Sequence, residues 1–562
     1  MTMHTFFPLL LFLTFLVAIP PLLGSYMVKL FSGNLEIVPP FSWIENGIYR
    51  FSRINPRQEM NWITYGKAVL ALNVIGFIAL FCLELFQGFL PLNPQKFSSL
   101  SLDLAFNTAV SFVTNTNWQA YSGETTLSYL TQSLGLTVQN FLSAATGLSV
   151  LLALIRGMSR KQSQTIGNFW FDFTRSVLYL LLPLAFIFAL ILVSQGVVQT
   201  FSSYLDVHTL ENGSQILPFG PAASQVAIKQ LGTNGGGFFG ANSAHPYENP
   251  TELANFLEMF AIFLIPAASV HAYGEMVGSK RHGWILFLVM LFLFLCGFAV
   301  AFMSEQIANP LFPSLHLWEG KEVRIGTLST AFWTASTTAT SNGSVNAMIS
   351  SLPPLTGGIA LFNMMLEELI FGGIGVGLCS FIMFVFLTLF LSGLMVGRTP
   401  EYLGKKIERG EIQWVITAIL LPSALILIGT AFSCRIPLAL ASSGNGGPHA
   451  LSELLYAFSS SASNNGSAFS SLNADTPYYN WILGVVMLLG RISVLLPSLA
   501  IAGLLAKKRS APATAGVLST DSGIFSVLLL GVILIVGSLT FFPALTLGPV
   551  MEHLLMLEGK AF

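Results

Sequence analysis

The chain has 562 residues, of which only 9% are Asp, Glu, Lys or Arg, whereas 53% are hydrophobic and 47 are Phe. Soluble domains carry about 25% charged residues, so a water-exposed surface cannot be built from this composition. A net charge of -1 also excludes an electrostatic nucleic-acid binder, because no basic excess exists to neutralise phosphates. The class that remains is a polytopic all-α integral membrane protein. Its four cysteines, Cys82, Cys296, Cys379 and Cys434, lie in or beside apolar runs without CxxC spacing, and so read as small apolar residues.

A hydrocarbon core of about 30 Å needs roughly 20 residues of helix. The first apolar run, 5–27, is too long and too weakly basic at its start for a secretory signal and has no clear cleavage site, so it reads as a retained helix. The second, 68–90, is followed by a short moderately apolar segment that ends in TNTNW, Thr114 to Trp118. Runs 128–155 and 176–197 come next, and then a second short segment ending in TNGGG, Thr233 to Gly237. In the HPYENPTEL stretch beyond it, His245 and Glu248 could be imagined as a metal pair. The two prolines favour a rigid outer turn, with Asn249 as N-cap, Pro250 first in the helix and Glu252 closing a capping box onto the span 252–276.

After the run 284–304 a third short segment ends in SNGSV, Ser341 to Val345. The stretch 356–396 is about twice the length of one crossing and is interrupted by GGIGVG. It predicts a broken helix in which Gly372, Gly373, Gly375 and Gly377 form a flexible constriction; a phosphate loop would need a strand before it. Run 413–434, a fourth cluster NNGSA (Asn464 to Ala468), and runs 480–506 and 523–545 complete ten spans.

Lys and Arg near span ends stay cytoplasmic. Most of the 25 basic residues collect in alternate loops: Lys29 to Lys67, Arg156 to Arg175, Lys280 and Arg281, Arg398 to Arg409, and Lys507 to Arg509. Both termini are therefore expected on the extracytoplasmic side.

Aligned on Asn115, Asn234, Asn342 and Asn465, the four clusters recur about every 110–125 residues, room for one helix, a half-membrane segment and a second helix. The expected division is a helix at 1–30, repeats at 64–160, 172–282, 283–400 and 411–509, and a last helix at 520–562. Non-helical backbone at membrane depth must be buried in protein or line a cavity, so four such loops are expected to converge on one axis. Each preceding short helix would aim its carboxyl end, about half a negative charge, at that axis, where a cation fits.

The candidate filter is Asn115, Thr116, Asn117, Thr233, Asn234, Gly235, Gly236, Ser341, Asn342, Gly343, Ser344, Asn464, Asn465, Gly466 and Ser467. In this alignment Thr116 takes the place of the glycines Gly235, Gly343 and Gly466. Carbonyls without a carboxylate suit a weakly hydrated monovalent ion such as potassium rather than a divalent one. Arg491, inside an apolar run, costs about 2.5–3.5 kcal/mol on insertion scales, so it must face protein or water. It reads as a structural ion pair, a positive gate below the filter, or both.

The stretches Phe112 to Glu124, Gly232 to Asn255, Thr334 to Met348, Phe362 to Gly373 and Ser460 to Phe469 resemble the KdpA family, the potassium-translocating subunits of bacterial Kdp pumps, and the likeness runs through essentially the whole chain. That family shares a four-repeat pore with Trk, Ktr and HKT transporters. The resemblance implies K+ as the transported ion, and a bacterial inner-membrane complex with a P-type ATPase subunit (KdpB-like) and two small accessory subunits (KdpC-like and KdpF-like). It also implies an ion-site role for Gln119 and ion-site or coupling roles for Glu368, Arg398 and Arg491, while Glu367 adds a second acid where a small residue is expected. The chain has neither a P-loop nor a DKTG sequence, so no nucleotide is expected on it and ATP hydrolysis is assigned to the partner. An autonomous Trk-like channel or ion-coupled carrier is the alternative that the bare pore permits.

Overall fold

The computed structural model describes residues 3–32, 41–211, 213–312, 318–367, 369–397, 399–510 and 518–560. Among them are ten helices long and apolar enough to cross a membrane: Phe7–Phe31, Trp62–Phe89, Thr131–Ser159, Phe169–Ser194, Glu252–Met276, Lys280–Ser304, Val376–Val396, Arg409–Ser433, Pro477–Ala506 and Gly523–Leu557. Four shorter helices, Leu102–Val113, Ala222–Leu231, Gly326–Ala339 and Gly447–Ala462, each stand between two spans and end at one of the polar clusters. The chain is thus four helix–half-helix–helix repeats flanked by a helix at each end.

Burial separates the members of each repeat. The span after each loop (third, fifth, seventh and ninth) is mostly enclosed by protein, whereas the span before it shows more apolar surface to lipid. Only the inner helices can shield the irregular backbone, and lipid offers no partner for a bare carbonyl. Small residues make the close approach possible: a Cβ on Gly157 of the third span would run into the backbone of Ala502 in the ninth, and one on Gly490 into Ala462 at the end of the fourth half-helix. Cys379 is buried, while Cys82 and Cys296 lie on exposed apolar surface.

The run 356–396 breaks as expected, into Pro354–Met365 and Val376–Val396. Between them the backbone reverses through positive φ at Glu367 (58°), Phe371 (53°) and Gly375 (77°). The outer turn differs from the expectation. Thr251, not Asn249, caps the fifth span, its hydroxyl accepting from the Ala254 amide at 3.0 Å, and the helix opens at Glu252. Asn249 is spent elsewhere, donating to the Ser243 carbonyl and the Asn255 side chain.

The basic loops meet on one face. Lys405 Nζ, on a small hairpin (Glu401–Tyr402 with Lys405–Lys406), donates to the carbonyls of Gly157, Arg160 and Leu505, capping the carboxyl ends of the third and ninth spans. Tyr402 of the hairpin bonds His282, and Met60 pairs with Gly167. Near this face Arg156 and Asp172 form a two-pronged ion pair (2.5 and 2.7 Å), to which the Tyr65 hydroxyl adds a donor at 3.0 Å. Arg160 and Glu59 make a more exposed pair at 2.6 Å, and this guanidinium holds the Glu59 carboxyl below its usual range.

Asp172→Ala leaves the Arg156 charge buried and is expected to lower stability by about 3–5 kcal/mol. Glu59→Ala should cost no more than about 1 kcal/mol. Thermal melting of the purified protein in detergent compares the two.

Candidate functional site: a ring of four loops

The four half-helices end by one rule. Their last residues are Val113, Leu231, Ala339 and Ala462, capped by Thr114, Gly232, Thr340 and Ser463. Two residues past each cap, an amide turns back to the helix: Thr116 N to Ser111 O (2.9 Å), Asn234 N to Lys229 O (2.8 Å), Asn342 N to Thr337 O (3.0 Å) and Asn465 N to Ser460 O (2.8 Å).

This register corrects the sequence alignment by one residue in the first repeat. Thr116 matches Asn234, Asn342 and Asn465, and the partner of Gly235 (φ 79°), Gly343 (84°) and Gly466 (94°) is Asn117, with φ 59°. The positions before the matched asparagines, Asn115, Thr233, Ser341 and Asn464, are also left-handed, at 50–64°. TNTNW contains two asparagines, and the second, Asn117, is the partner of the glycines. Asparagine is the L-residue that tolerates this conformation best, which is why the second can stand where the other repeats carry glycine.

The loops converge and close on themselves. A Cβ on Gly235 would collide with the Asn342 carbonyl oxygen, one on Gly343 with that of Asn465, and one on Gly466 with that of Thr116. The fourth junction is a hydrogen bond from Asn117 Nδ2 to Asn234 O. Each strand therefore rests a carbonyl against the glycine, or its substitute, of the strand before it, in the order one to four and back to one. Side chains tie the layer beneath: Asn115 donates to Thr233 O at 3.1 Å, Ser341 to Asn464 O at 2.9 Å, and Asn464 to Thr116 Oγ1 at 2.8 Å.

Behind the ring, each strand has its own anchor. Ser111 Oγ donates to Trp118 O (2.9 Å), Trp333 Nε1 donates to Ser344 O (2.9 Å), and Tyr456 OH bonds Ser467 Oγ (2.8 Å). Gly236 packs against Asn117 and Phe112. Trp118 and Phe238 are buried wedges. Gln119 clamps the second strand from the first: its Oε1 accepts from Gly237 N at 3.0 Å and its Nε2 donates to Gly237 O at 3.2 Å.

Below the ring, the break in the seventh span abuts the second strand, Ile374 N donating to Thr233 Oγ1 at 2.9 Å. Gly375 and Gly377 are in tight backbone contact, with Gly147 of the third span and with Gly372 respectively, and Gly377 N donates to Gly373 O at 2.9 Å. Arg491 is buried beside them: its Nη2 donates to Ser143 O at 3.1 Å, and Ser143 Oγ in turn donates to Asn115 Oδ1 at 2.7 Å. Glu367 accepts from Ser423 of the eighth span at 3.3 Å. Glu368 and Arg398 lie outside the described residues.

His245 and Glu248 do not face a common site. His245 stacks flat on Phe239 at 3.9 Å, and burial there holds the imidazole below its ordinary range. Glu248 pairs with Lys229. Sequence reading passed over Lys229, although a lysine inside QVAIKQL, ahead of a buried cluster, is itself a signal that a carboxylate must be close by. Buried Glu84 and Glu258 were passed over in the same way.

Ten spans around four convergent half-membrane loops define a multi-pass membrane protein of the cation-transporter fold. The same fold occurs in the potassium transporter TrkH from Vibrio parahaemolyticus, with a TM-score of 0.51 at 15% identity, covering 85% of this chain and 96% of that one. At the level of sequence, the model for KdpA, "Potassium-transporting ATPase A subunit", matches residues 10–554, and the chain belongs to that family. It is 54% identical over 556 residues to the potassium-transporting ATPase potassium-binding subunit of Leptospira interrogans serogroup Icterohaemorrhagiae serovar Lai, covering 99% of both chains. To the subunit of the same description in Rhodospirillum centenum it is 53% identical, over 100% of this chain and 99% of the other.

Gly466→Ala is expected to cost about 1–3 kcal/mol from its left-handed backbone alone, before the collision with Thr116 is counted. Gly523→Ala, where a Cβ meets nothing within 4 Å, serves as the control. Melting temperatures of the two variants check this.

Proposed function

We propose that this chain is the potassium-binding and translocating subunit of an ATP-driven, high-affinity potassium uptake complex. The observation that carries the reading is the closed ring of four loops, each offering main-chain oxygen with no carboxylate among the filter residues. A potassium ion arriving from outside exchanges its water for the carbonyls around Thr116, Gly235, Gly343 and Gly466, with Asn117 completing the glycine layer, and pauses close to Gln119. The field of a carbonyl ring favours a large, weakly hydrated monovalent ion over sodium. Four half-helices with their carboxyl ends aimed at the ring add negative potential.

From the filter the ion moves inward past Arg491 and the glycines Gly372, Gly373, Gly375 and Gly377, and is handed to the ATPase for import. Glu368 and Arg398 are assigned to coupling on the family resemblance. The chain is a non-catalytic subunit; the P-type ATPase partner hydrolyses ATP, and two small accessory subunits complete the complex. It works in the bacterial inner membrane with both termini extracytoplasmic, supported by the basic loops gathered on one face. The repeat division at 64–160, 172–282, 283–400 and 411–509 belongs to the same proposal.

Flux into vesicles tests the reading against an autonomous channel. Potassium uptake should require the ATPase subunit and ATP; rapid flux through this chain alone, indifferent to both, would refute it. Gly235→Asp, which puts a carboxylate into the ring, is expected to erode discrimination among potassium, rubidium and sodium. Gln119→Arg breaks the clamp on Gly237 and should raise the potassium concentration for half-maximal uptake by about tenfold, the effect of losing one to two hydrogen bonds.

A further inference from the structure

Three residues before each cap, the repeats carry Ser111, Lys229, Thr337 and Ser460, whose carbonyls all accept from the turned-back amides. Only at Lys229 does the side chain bring a charge. The ammonium and the Glu248 carboxylate are both fully buried and paired with each other. Pairing explains how the charge is tolerated there, since an isolated buried ion costs several kcal/mol. It does not explain why a charge stands behind the filter at all.

Asn242 supplies the reason. Lys229 Nζ donates to Asn242 Oδ1 at 2.9 Å. An ammonium has three donors and no acceptor, so it admits only the oxygen end of that amide. The Ser243 amide holds the same oxygen at 2.8 Å. The nitrogen end must then face the other way, where Nδ2 donates to the Gly235 carbonyl at 2.8 Å. Among the described residues, the carbonyls of Asn117, Gly343 and Gly466 receive no such side-chain bond. Glu248 fixes the following segment as well, accepting from Phe239 N at 3.1 Å. Asn242 itself sits in a left-handed turn, φ 54°.

We propose that Lys229 is a specificity-determining positioning residue of the filter: together with the Ser243 amide it holds the oxygen end of Asn242 away from Gly235, and so sets the direction and remaining donor strength of that carbonyl toward a monovalent cation. The ring thereby presents three carbonyls without such a bond and a fourth that carries one, and its field is tuned at one strand without a charge entering the ion path. Selectivity among cations of one charge depends on the number and field strength of such oxygens. The inference rests on the filter reading above, and its test separates the two.

Two variants act on the relay in the assembled complex. Asn242→Asp keeps a partner for Lys229 but removes the donor to Gly235. Lys229→Met with Glu248→Gln removes both charges together, leaves no unpaired buried ion, and leaves the Ser243 donors as the remaining hold on the Asn242 oxygen. Each is expected to shift the rubidium-to-potassium ratio of half-saturating concentrations, read from ion-stimulated ATP hydrolysis, by about fivefold, the ratio that one net hydrogen bond corresponds to. A lowered melting temperature with an unchanged ratio in both would mean a structural role only and would overturn the inference. If the double variant does not assemble, Asn242→Asp decides alone, because it retains the ion pair. Gly235→Asp run in parallel distinguishes the failures: its loss of discrimination beside unchanged relay variants discards Lys229 and keeps the filter, whereas wild-type discrimination in all three discards the filter too.

Discussion

The constraint on which the whole molecule depends is that a carbonyl inside a membrane must find a partner in protein or in an ion. Here four non-helical strands pack against one another and take donors from side chains of neighbouring loops, Asn115 to Thr233 O, Asn117 to Asn234 O and Ser341 to Asn464 O among them. Each carbonyl lies against a position where a side chain is missing or is an asparagine, and the chain of contacts returns to its start. Removing one member of a closed ring opens two junctions at once, so the loops are held jointly rather than one by one.

The rest of the fold follows from keeping lipid away from that ring. The spans after the loops are the enclosed ones, and glycines at the close contacts let helices and broken backbone come within reach of one another. Polar side chains inside this shell are assigned in detail. Trp333, Tyr456, Ser111 and the pair of Lys229 with Asn242 each steady a different strand. The anchors differ from repeat to repeat, although the backbone path they hold is the same. A pseudo-fourfold site with four unlike supports can be tuned strand by strand, which a true fourfold assembly of identical subunits cannot do.

The inner side of the ring is built differently. Arg491 reaches the filter through Ser143 and Asn115, and the glycine-rich break reaches it through Ile374 and Thr233. A positive side chain and an irregular segment thus share one region beneath the oxygens. Their contact with the third span, through Gly147, joins the arginine and the break mechanically. The break is tied to the second strand at Thr233, one residue from the matched asparagine.

Much of this was legible in the residues themselves. Charge scarcity and apolar runs of about 20 residues determine a ten-span membrane protein, because hydration leaves no other place for them. The TNTNW, TNGGG, SNGSV and NNGSA clusters announce four equivalent loops, and the 356–396 run announces its own break. The one-residue register in the first repeat was decided only by where the helix hydrogen bonds stop, which two neighbouring asparagines conceal. Tertiary structure alone also decided that Thr251 caps the fifth span, that Gln119 grips Gly237 from another repeat, and that Lys229 meets Glu248 and Asn242 behind Gly235. Spacing along a chain encodes which segments are apolar and which can turn, but the partner of a buried polar group is chosen in three dimensions, by whichever atom the packing leaves within about 3 Å of it.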